Sequence, residues 1–147
     1  MILVSSCLAG IKVRYDGGDC LNDRIKKLLE ENKAISICPE VLGGLPIPRI
    51  PAEIVGGDGE DVLENKALVM DQTGKDVTDS FLQGAYAVLK KAQEVGATCV
   101  ILKENSPSCG SSFIYNGHFN GEKKPGMGVT TALLKRNGIE VISEKDF

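Results

Sequence analysis

Short apolar runs alternate along the chain with amphipathic segments, and few folds accommodate this order. The apolar runs have the length and composition of buried β-strands and occupy residues 2–5, 34–38, 67–71, 98–103 and 139–143. The segments between them place apolar residues at helical spacing, over residues 21–33, 79–95 and 128–137. Strands that alternate with helices favour an α/β fold with a mostly parallel sheet. We therefore predict one three-layer Rossmann-like α/β domain over residues 1–147, a length ordinary for a single domain.

Local signals mark where these elements begin and end. Asn22 and Thr78 are suitable N-caps for the first two helices, and Gly96 is a suitable stop for the second. Asn-Gly pairs in residues 113–122 predict a hairpin or an irregular excursion. Residues 39–60 contain four prolines and five glycines, yet they are rich in Leu, Ile and Val. We interpret this stretch as an ordered loop packed over a functional site.

Composition and charge exclude several functions. The net charge is −3 and the pI about 5.2, without the basic stripe that binding to large nucleic acids requires. No apolar run approaches the roughly 20 residues of a membrane span, and the amino terminus lacks the positive region of a signal peptide. The sequence thus predicts a cytoplasmic protein, monomeric or a small homo-oligomer, that acts on a small molecule.

Five cysteines are the chemically informative residues of this sequence. In a reducing cytosol they are more typical of metal binding or catalysis than of disulfides, and no CxxC pair is present. Cys7, Cys38 and Cys109 each follow a predicted strand. Because ligands of open α/β sheets sit beyond the carboxyl ends of the strands, we expect these three thiols to share one site. Cys99 lies inside a predicted strand and is expected to be a small core residue.

Three thiolates favour zinc or an iron–sulfur cluster over magnesium or calcium. Structural zinc usually has four protein ligands, whereas His118, the one histidine, lies in a turn-rich segment and is expected to be exposed. Cys20 remains an alternative fourth ligand. If Cys20 is not a ligand, the three thiolates leave one coordination position of the metal or cluster open, as in a reactive site. The alternative is that the thiols are scattered and inert.

Polar residues near these cysteines fit a reactive site. Glu40 follows Cys38 by two residues and could act as a general acid or base, or be a surface glutamate. Ser106 could orient a substrate or water, or make a local turn bond. Arg49 and Glu53 are predicted to pair and hold the long loop.

Two further groups of residues are candidates for the same site. The N–H groups of residues 126–130, where a helix begins, could bind anionic or carbonyl groups, or the glycines could simply mark a tight turn. Lys12, Arg14 and Asp16 could line the same cleft as Cys7, or be solvated.

Three separated motifs resemble the thiouracil desulfidases, a family of small iron–sulfur proteins. They are SSCLAG at 5–10, CPEVLGGLP at 38–46 followed by PRIPAE at 48–53, and KENSPSCG at 103–110. The similarity extends over essentially the whole chain.

This resemblance implies a [4Fe-4S] cluster bound by Cys7, Cys38 and Cys109, with Glu40 and Ser106 as catalytic residues. The implied reaction is the non-redox hydrolysis of 4-thiouracil to uracil and hydrogen sulfide at an open iron. Other thiolated heterocycles or nucleosides are possible substrates. The alternative is a non-catalytic metal-binding or sulfur-trafficking protein with a three-thiolate site.

Overall fold

The computed structural model describes residues 1–9, 22–46 and 49–147. Its strands are β1 (Ile2–Ser5), β2 (Ala34–Ile37), β3 (Ala52–Val55), β4 (Leu68–Asp71), β5 (Cys99–Leu102), β6 (Phe113–Tyr115), β7 (Lys123–Pro125) and β8 (Glu140–Ser143). Its α-helices are α1 (Asp23–Glu30), α2 (Pro39–Leu42), α3 (Gly59–Leu63), α4 (Thr78–Val95) and α5 (Val129–Arg136). A short 3-10 helix, Ser6–Ala9, follows β1 directly.

Four of the described strands form a parallel sheet in the order β2-β1-β5-β8. This confirms the predicted α/β class with a mostly parallel central sheet. The predicted strand at 67–71 exists as β4, but it pairs antiparallel with β3 outside this sheet. β6 and β7 form the predicted hairpin. Since β1 lies between β2 and β5, the carboxyl ends of these three strands lie next to one another.

Both faces of the central sheet are buried. Leu3 and Val100 pack with α4 and α5 residues on one face, in a cluster that includes Phe81. The next residue of β1, Val4, packs on the opposite face with Ile25 of α1. Successive strand residues point to opposite faces, so a strand buried on both sides reads as a continuous apolar run. This explains why the sequence pattern located these strands.

The helix boundaries follow local hydrogen bonds. Asn22 caps α1 as predicted, because its side chain accepts the N–H groups of Arg24 at 3.1 Å and Ile25 at 3.2 Å. Gly96 ends α4 in the left-handed conformation, with φ +66°. The predicted N-cap Thr78 is instead the first helical residue, and its hydroxyl accepts the N–H of Val69 at 2.9 Å. Thr78 therefore ties α4 to β4.

The prediction that residues 39–60 form one ordered loop was wrong, although residues of this stretch do line the cavity described below. The stretch contains α2, β3 and the start of α3. Pro39 occupies the first turn of α2, where its missing N–H costs nothing. Asp58 and Asp61 form a reciprocal capping box at α3. Residues 47–48 of this stretch lie outside the described residues.

Candidate functional site

The three cysteines that follow strands line one cavity of about 640 Å³. Cys7 lies in the 3-10 helix after β1, Cys38 directly after β2, and Cys109 in the loop after β5. Cys7 is 8% exposed, Cys109 6% exposed, and Cys38 half-buried. A cavity of this size lies within the roughly 300–1,000 Å³ of small-molecule sites. The parallel order of β2, β1 and β5 thus brings the predicted thiols to one site.

Burial raises the pKa of two of these three thiols. Burial raises the pKa of Cys109 well above its usual value, and Glu40, Cys38 and Cys7 add to the rise through their negative charges. Burial also raises the pKa of Cys38. Within residues 1–9, 22–46 and 49–147, no three Cys, His, Asp or Glu side chains gather around a single point suited to one metal ion. The three thiols face a common space and influence one another electrostatically.

Glu40 connects this space to two polar side chains. Arg49 donates from its Nε to Glu40 Oε2 at 2.9 Å, and its terminal nitrogen also donates to Oε2. Ser106 donates from its hydroxyl to the other oxygen, Oε1, at 3.0 Å. Arg49, predicted to pair with Glu53, is therefore paired with Glu40. The pair is largely buried, with side-chain exposures of 7% for Arg49 and 15% for Glu40.

Ser106 also binds the loop that carries Cys109. Its hydroxyl oxygen accepts the N–H groups of Ser108 at 3.0 Å and Cys109 at 3.3 Å. The local turn bond that the sequence allows is thus present, but the same hydroxyl also donates to Glu40. The carboxylate, the hydroxyl and the Cys109 backbone form one continuous hydrogen-bonded chain beside the cavity.

The carboxylate of Glu104, which sequence reasoning missed, holds the loop from its other side. It is 5% exposed and accepts the N–H groups of Ser111 at 2.9 Å, Ser112 at 3.0 Å and Phe113 at 3.1 Å, together with the Ser111 hydroxyl at 2.7 Å. Burial alone would raise the pKa of Glu104, but these hydrogen bonds outweigh it and lower the pKa to about 2. In the sequence, the available signal for this role was a glutamate shortly after a buried strand, followed by a Ser-rich turn.

The start of α5 completes the support of this loop. N–H groups of Gly128, Val129 and Thr130 donate to the carbonyls of residues 110, 107 and 108, at 2.8, 2.8 and 2.9 Å. The N–H groups of residues 128–130, considered in the sequence as binding groups for an anionic or carbonyl ligand, instead donate to backbone carbonyls of the Cys109 loop. A Cβ on Gly128 would lie 2.4 Å from the Ser108 carbonyl, so only glycine permits this approach.

Ser5 is a second residue that sequence reasoning missed. Its hydroxyl lies 4.0 Å from the Cys109 sulfur and accepts the N–H of Lys103 at 3.1 Å. The hydrogen bond from Ser5 partly offsets the raised pKa of Cys109. A serine at the carboxyl end of an otherwise apolar strand was its signal in the sequence.

The remaining candidates lie elsewhere. Cys99 begins β5, at the amino edge of the sheet and away from the other described cysteines, and it is half-buried rather than a fully buried core residue. His118 is exposed, as predicted. The predictions for Cys20, Lys12, Arg14 and Asp16 concern residues outside the described part of the chain. None of the described helices is long and apolar enough to cross a membrane.

The fold and the site together define an α/β protein whose cysteine-lined cavity lies at the carboxyl ends of a parallel sheet, beside a glutamate–serine pair. Residues 2–146 match the model of the 2-thiouracil desulfurase family, and the chain belongs to that family.

Two known proteins resemble the chain over nearly its full length. It is 56% identical over 146 residues to the uncharacterized protein YbbK of Bacillus subtilis (strain 168), covering 99% of this chain and 97% of that protein. The fold resembles the solved structure of the [4Fe-4S]-dependent thiouracil desulfidase TudS, with a TM-score of 0.86 and 46% identity. That similarity covers 98% of this chain and 90% of TudS.

Proposed function

We propose that this chain, acting as one domain over residues 1–147, is a [4Fe-4S]-dependent hydrolase that removes sulfur from a thiolated pyrimidine such as 4-thiouracil. The observation that carries the proposal is the shared cavity of Cys7, Cys38 and Cys109, with Glu40 and Ser106 at its wall. The similarity to TudS supports the cofactor and the substrate class. The proposed location is the cytoplasm, where thiols stay reduced.

The donor set fits a cluster. Each thiolate of a cluster binds a different iron, so the cysteines need to face one space rather than one point, and Cys7, Cys38 and Cys109 do so. Desolvated thiols such as Cys109 keep their protons unless a cation replaces them, so cluster binding would release protons here. These three residues would hold the cluster. When bound, it supplies a Lewis-acidic iron without a protein thiolate, to which a soft thiocarbonyl sulfur can bind.

The side chains beside the cluster site would position the attacking water and transfer its proton. The reaction adds water to the thiocarbonyl carbon, forms a carbon–oxygen bond and breaks the carbon–sulfur bond, giving a carbonyl and hydrogen sulfide. Glu40 would accept one proton from the attacking water and deliver it to the departing sulfur. The second proton of hydrogen sulfide would come from the hydroxyl added to the ring carbon as that carbon becomes a carbonyl. Ser106 would orient the ring or the water by turning its hydroxyl hydrogen from Glu40 Oε1 to that group.

Arg49 and the Cys109 loop would fix the geometry of these groups. Arg49 binds Glu40 Oε2 and leaves Oε1 directed toward Ser106. The backbone bonds from residues 108 and 109 to Ser106 fix the hydroxyl relative to the Cys109 ligand. This preorganisation places the proton carrier beside the reacting carbon before the substrate arrives.

The test is turnover by anaerobically prepared, cluster-loaded protein. We expect release of sulfide and uracil from 4-thiouracil, with 2-thiouracil assayed in parallel because the family is described by that isomer. Absence of sulfide release from any thiouracil, at full iron content, would refute the desulfidase assignment. A protein that contains about one zinc and no acid-labile sulfide would instead be a metal-binding or sulfur-trafficking protein.

A further inference from the structure

Phe119 has a backbone conformation that is unusual for its side chain. Its φ is +53°, and the other described non-glycine residues with positive φ are all asparagines. Asparagine tolerates this region through local hydrogen bonds, whereas a bulky aromatic residue does not. Strained residues persist only where their surroundings hold them, and they cluster at ligand sites. Phe119 lies in the β6–β7 hairpin and lines the same cavity as the cysteines.

Glu53 is the residue that holds this conformation. It lies in β3, is 8% exposed, and accepts the N–H groups of Gly117 at 2.9 Å and Phe119 at 3.3 Å. Gly117 has φ +90°, and a Cβ there would lie 2.6 Å from the carbonyl oxygen of Ile54. The hairpin tip therefore lies directly against β3, and the buried carboxylate fixes it there. Glu53 also lines the cavity.

The other aromatic residues among the described lining are less available. Phe81 is 2% exposed and belongs to the hydrophobic core. Tyr115 has the Lys123 ammonium 5.9 Å from the centre of its ring, so this cation is a neighbour of its π-face. Phe119 is half-buried and has no such neighbour among the described cation–π contacts. It is the best-placed ring to contact a planar heterocycle in this cavity.

Resting on the proposed function, we infer that Phe119 stacks on the pyrimidine ring of the substrate and that Glu53 is a positioning residue that holds Phe119 in the cavity. Stacking is sensitive to the presence of a π-face and tolerant of ring substituents. Phe119 would therefore contribute binding of the ring, irrespective of which carbon carries the sulfur. The cysteines and Glu40 would act on the thiocarbonyl group itself.

The test uses cluster-loaded protein and two ligands, uracil for equilibrium binding by calorimetry and the thiouracils for kinetics. Phe119→Leu should weaken uracil binding and raise KM for both thiouracils about tenfold, with kcat within twofold of wild type. Iron content should not change, since β3 and the hairpin carry none of the cysteines. Phe113→Leu is the matched control, because Phe113 lies on the same hairpin, is 47% exposed and is absent from the cavity lining.

Glu53 variants test the positioning role. Glu53→Ala should reproduce the KM increase of Phe119→Leu, and the double variant should add no further increase beyond about twofold, because both act through the same ring. Glu53→Gln keeps an acceptor oxygen and should restore most of the binding. If Phe119→Leu matches Phe113→Leu in active, fully loaded protein, the inference is wrong and the proposed function stands. A wild type that neither binds uracil nor releases sulfide would overturn both.

Discussion

The Glu104→Gln substitution tests whether a buried carboxylate maintains the loop that carries Cys109. In the folded protein the pKa of Glu104 is lowered from its ordinary 4.5 to about 2, because hydrogen bonds from residues 111–113 outweigh the effect of burial. A pKa shift is worth about 1.36 kcal/mol per unit, so the lowered pKa of Glu104 corresponds to about 3 kcal/mol of folding free energy. The unfolded chain binds the proton more tightly, so this stability is fully present above pH 4.5 and is lost as the pH falls toward 2.

The assay is urea unfolding of cluster-free protein between pH 2 and pH 7 (roughly the range set by these two pKa values). Glu104→Gln should lower the free energy of unfolding by about 3 kcal/mol at pH 7, and the deficit relative to wild type should shrink as the pH approaches 2. Glu122→Gln, at an exposed position of the β6–β7 hairpin, is the control and should change stability by less than about 0.5 kcal/mol. A deficit that is constant across this pH range would refute the reasoning.

Five further substitutions separate roles in the site. A Cβ on Gly84 would lie 2.0 Å from a carbonyl oxygen of α2, so Gly84→Ala should displace the helix that carries Glu40, reduce turnover more than tenfold (~1.4 kcal/mol of barrier) and lower the melting temperature. Cys109→Ser should abolish the visible absorption of the loaded protein, whereas Cys99→Ser should keep it, and colour in both would remove Cys109 from the ligand set. Glu40→Ala should keep the iron content and lose turnover, whereas an active variant would exclude Glu40 from proton transfer. Ser106→Ala should lower kcat with unchanged iron content, and a change in iron content would indicate that the hydroxyl mainly supports the Cys109 loop.

Elements that are set by local pattern were predictable. β1 is buried on both faces, so the run at residues 2–5 identified it, and the side chain of Asn22 caps α1 through bonds within the same turn. The convergence of Cys7, Cys38 and Cys109 followed from one rule about the carboxyl ends of parallel strands.

Elements that depend on distant contacts were not predictable. α2 is only four residues long and lies against α4 at Gly84, and a helix so short is not stable by itself. The pairing of Arg49 with Glu40, nine positions earlier, depends on tertiary folding, and no periodicity in the sequence predicts it. Glu104 acts through residues up to nine positions away in a turn that only the folded loop brings together.

The backbone conformation of Phe119 was equally hidden in the sequence. Its neighbours are Asn-Gly turns, which predicted the hairpin but not the positive φ of Phe119. The backbone N–H of Phe119 donates to Glu53, 66 positions earlier in the chain, and this contact is not visible in the local sequence. Pairing between β3 and β4 places Glu53 at this position, and the strand pattern alone did not indicate that pairing.

Iron and acid-labile sulfide content, measured together with sulfide release on one anaerobic preparation, tests the central claim most directly. We predict about four irons and about four sulfides per chain, and turnover of a thiouracil that increases in proportion to iron content. Ser variants of Cys7, Cys38 or Cys109 should lose both cluster and turnover. Full activity in a preparation without iron, or a fully loaded protein that releases no sulfide from any thiouracil, would contradict the account.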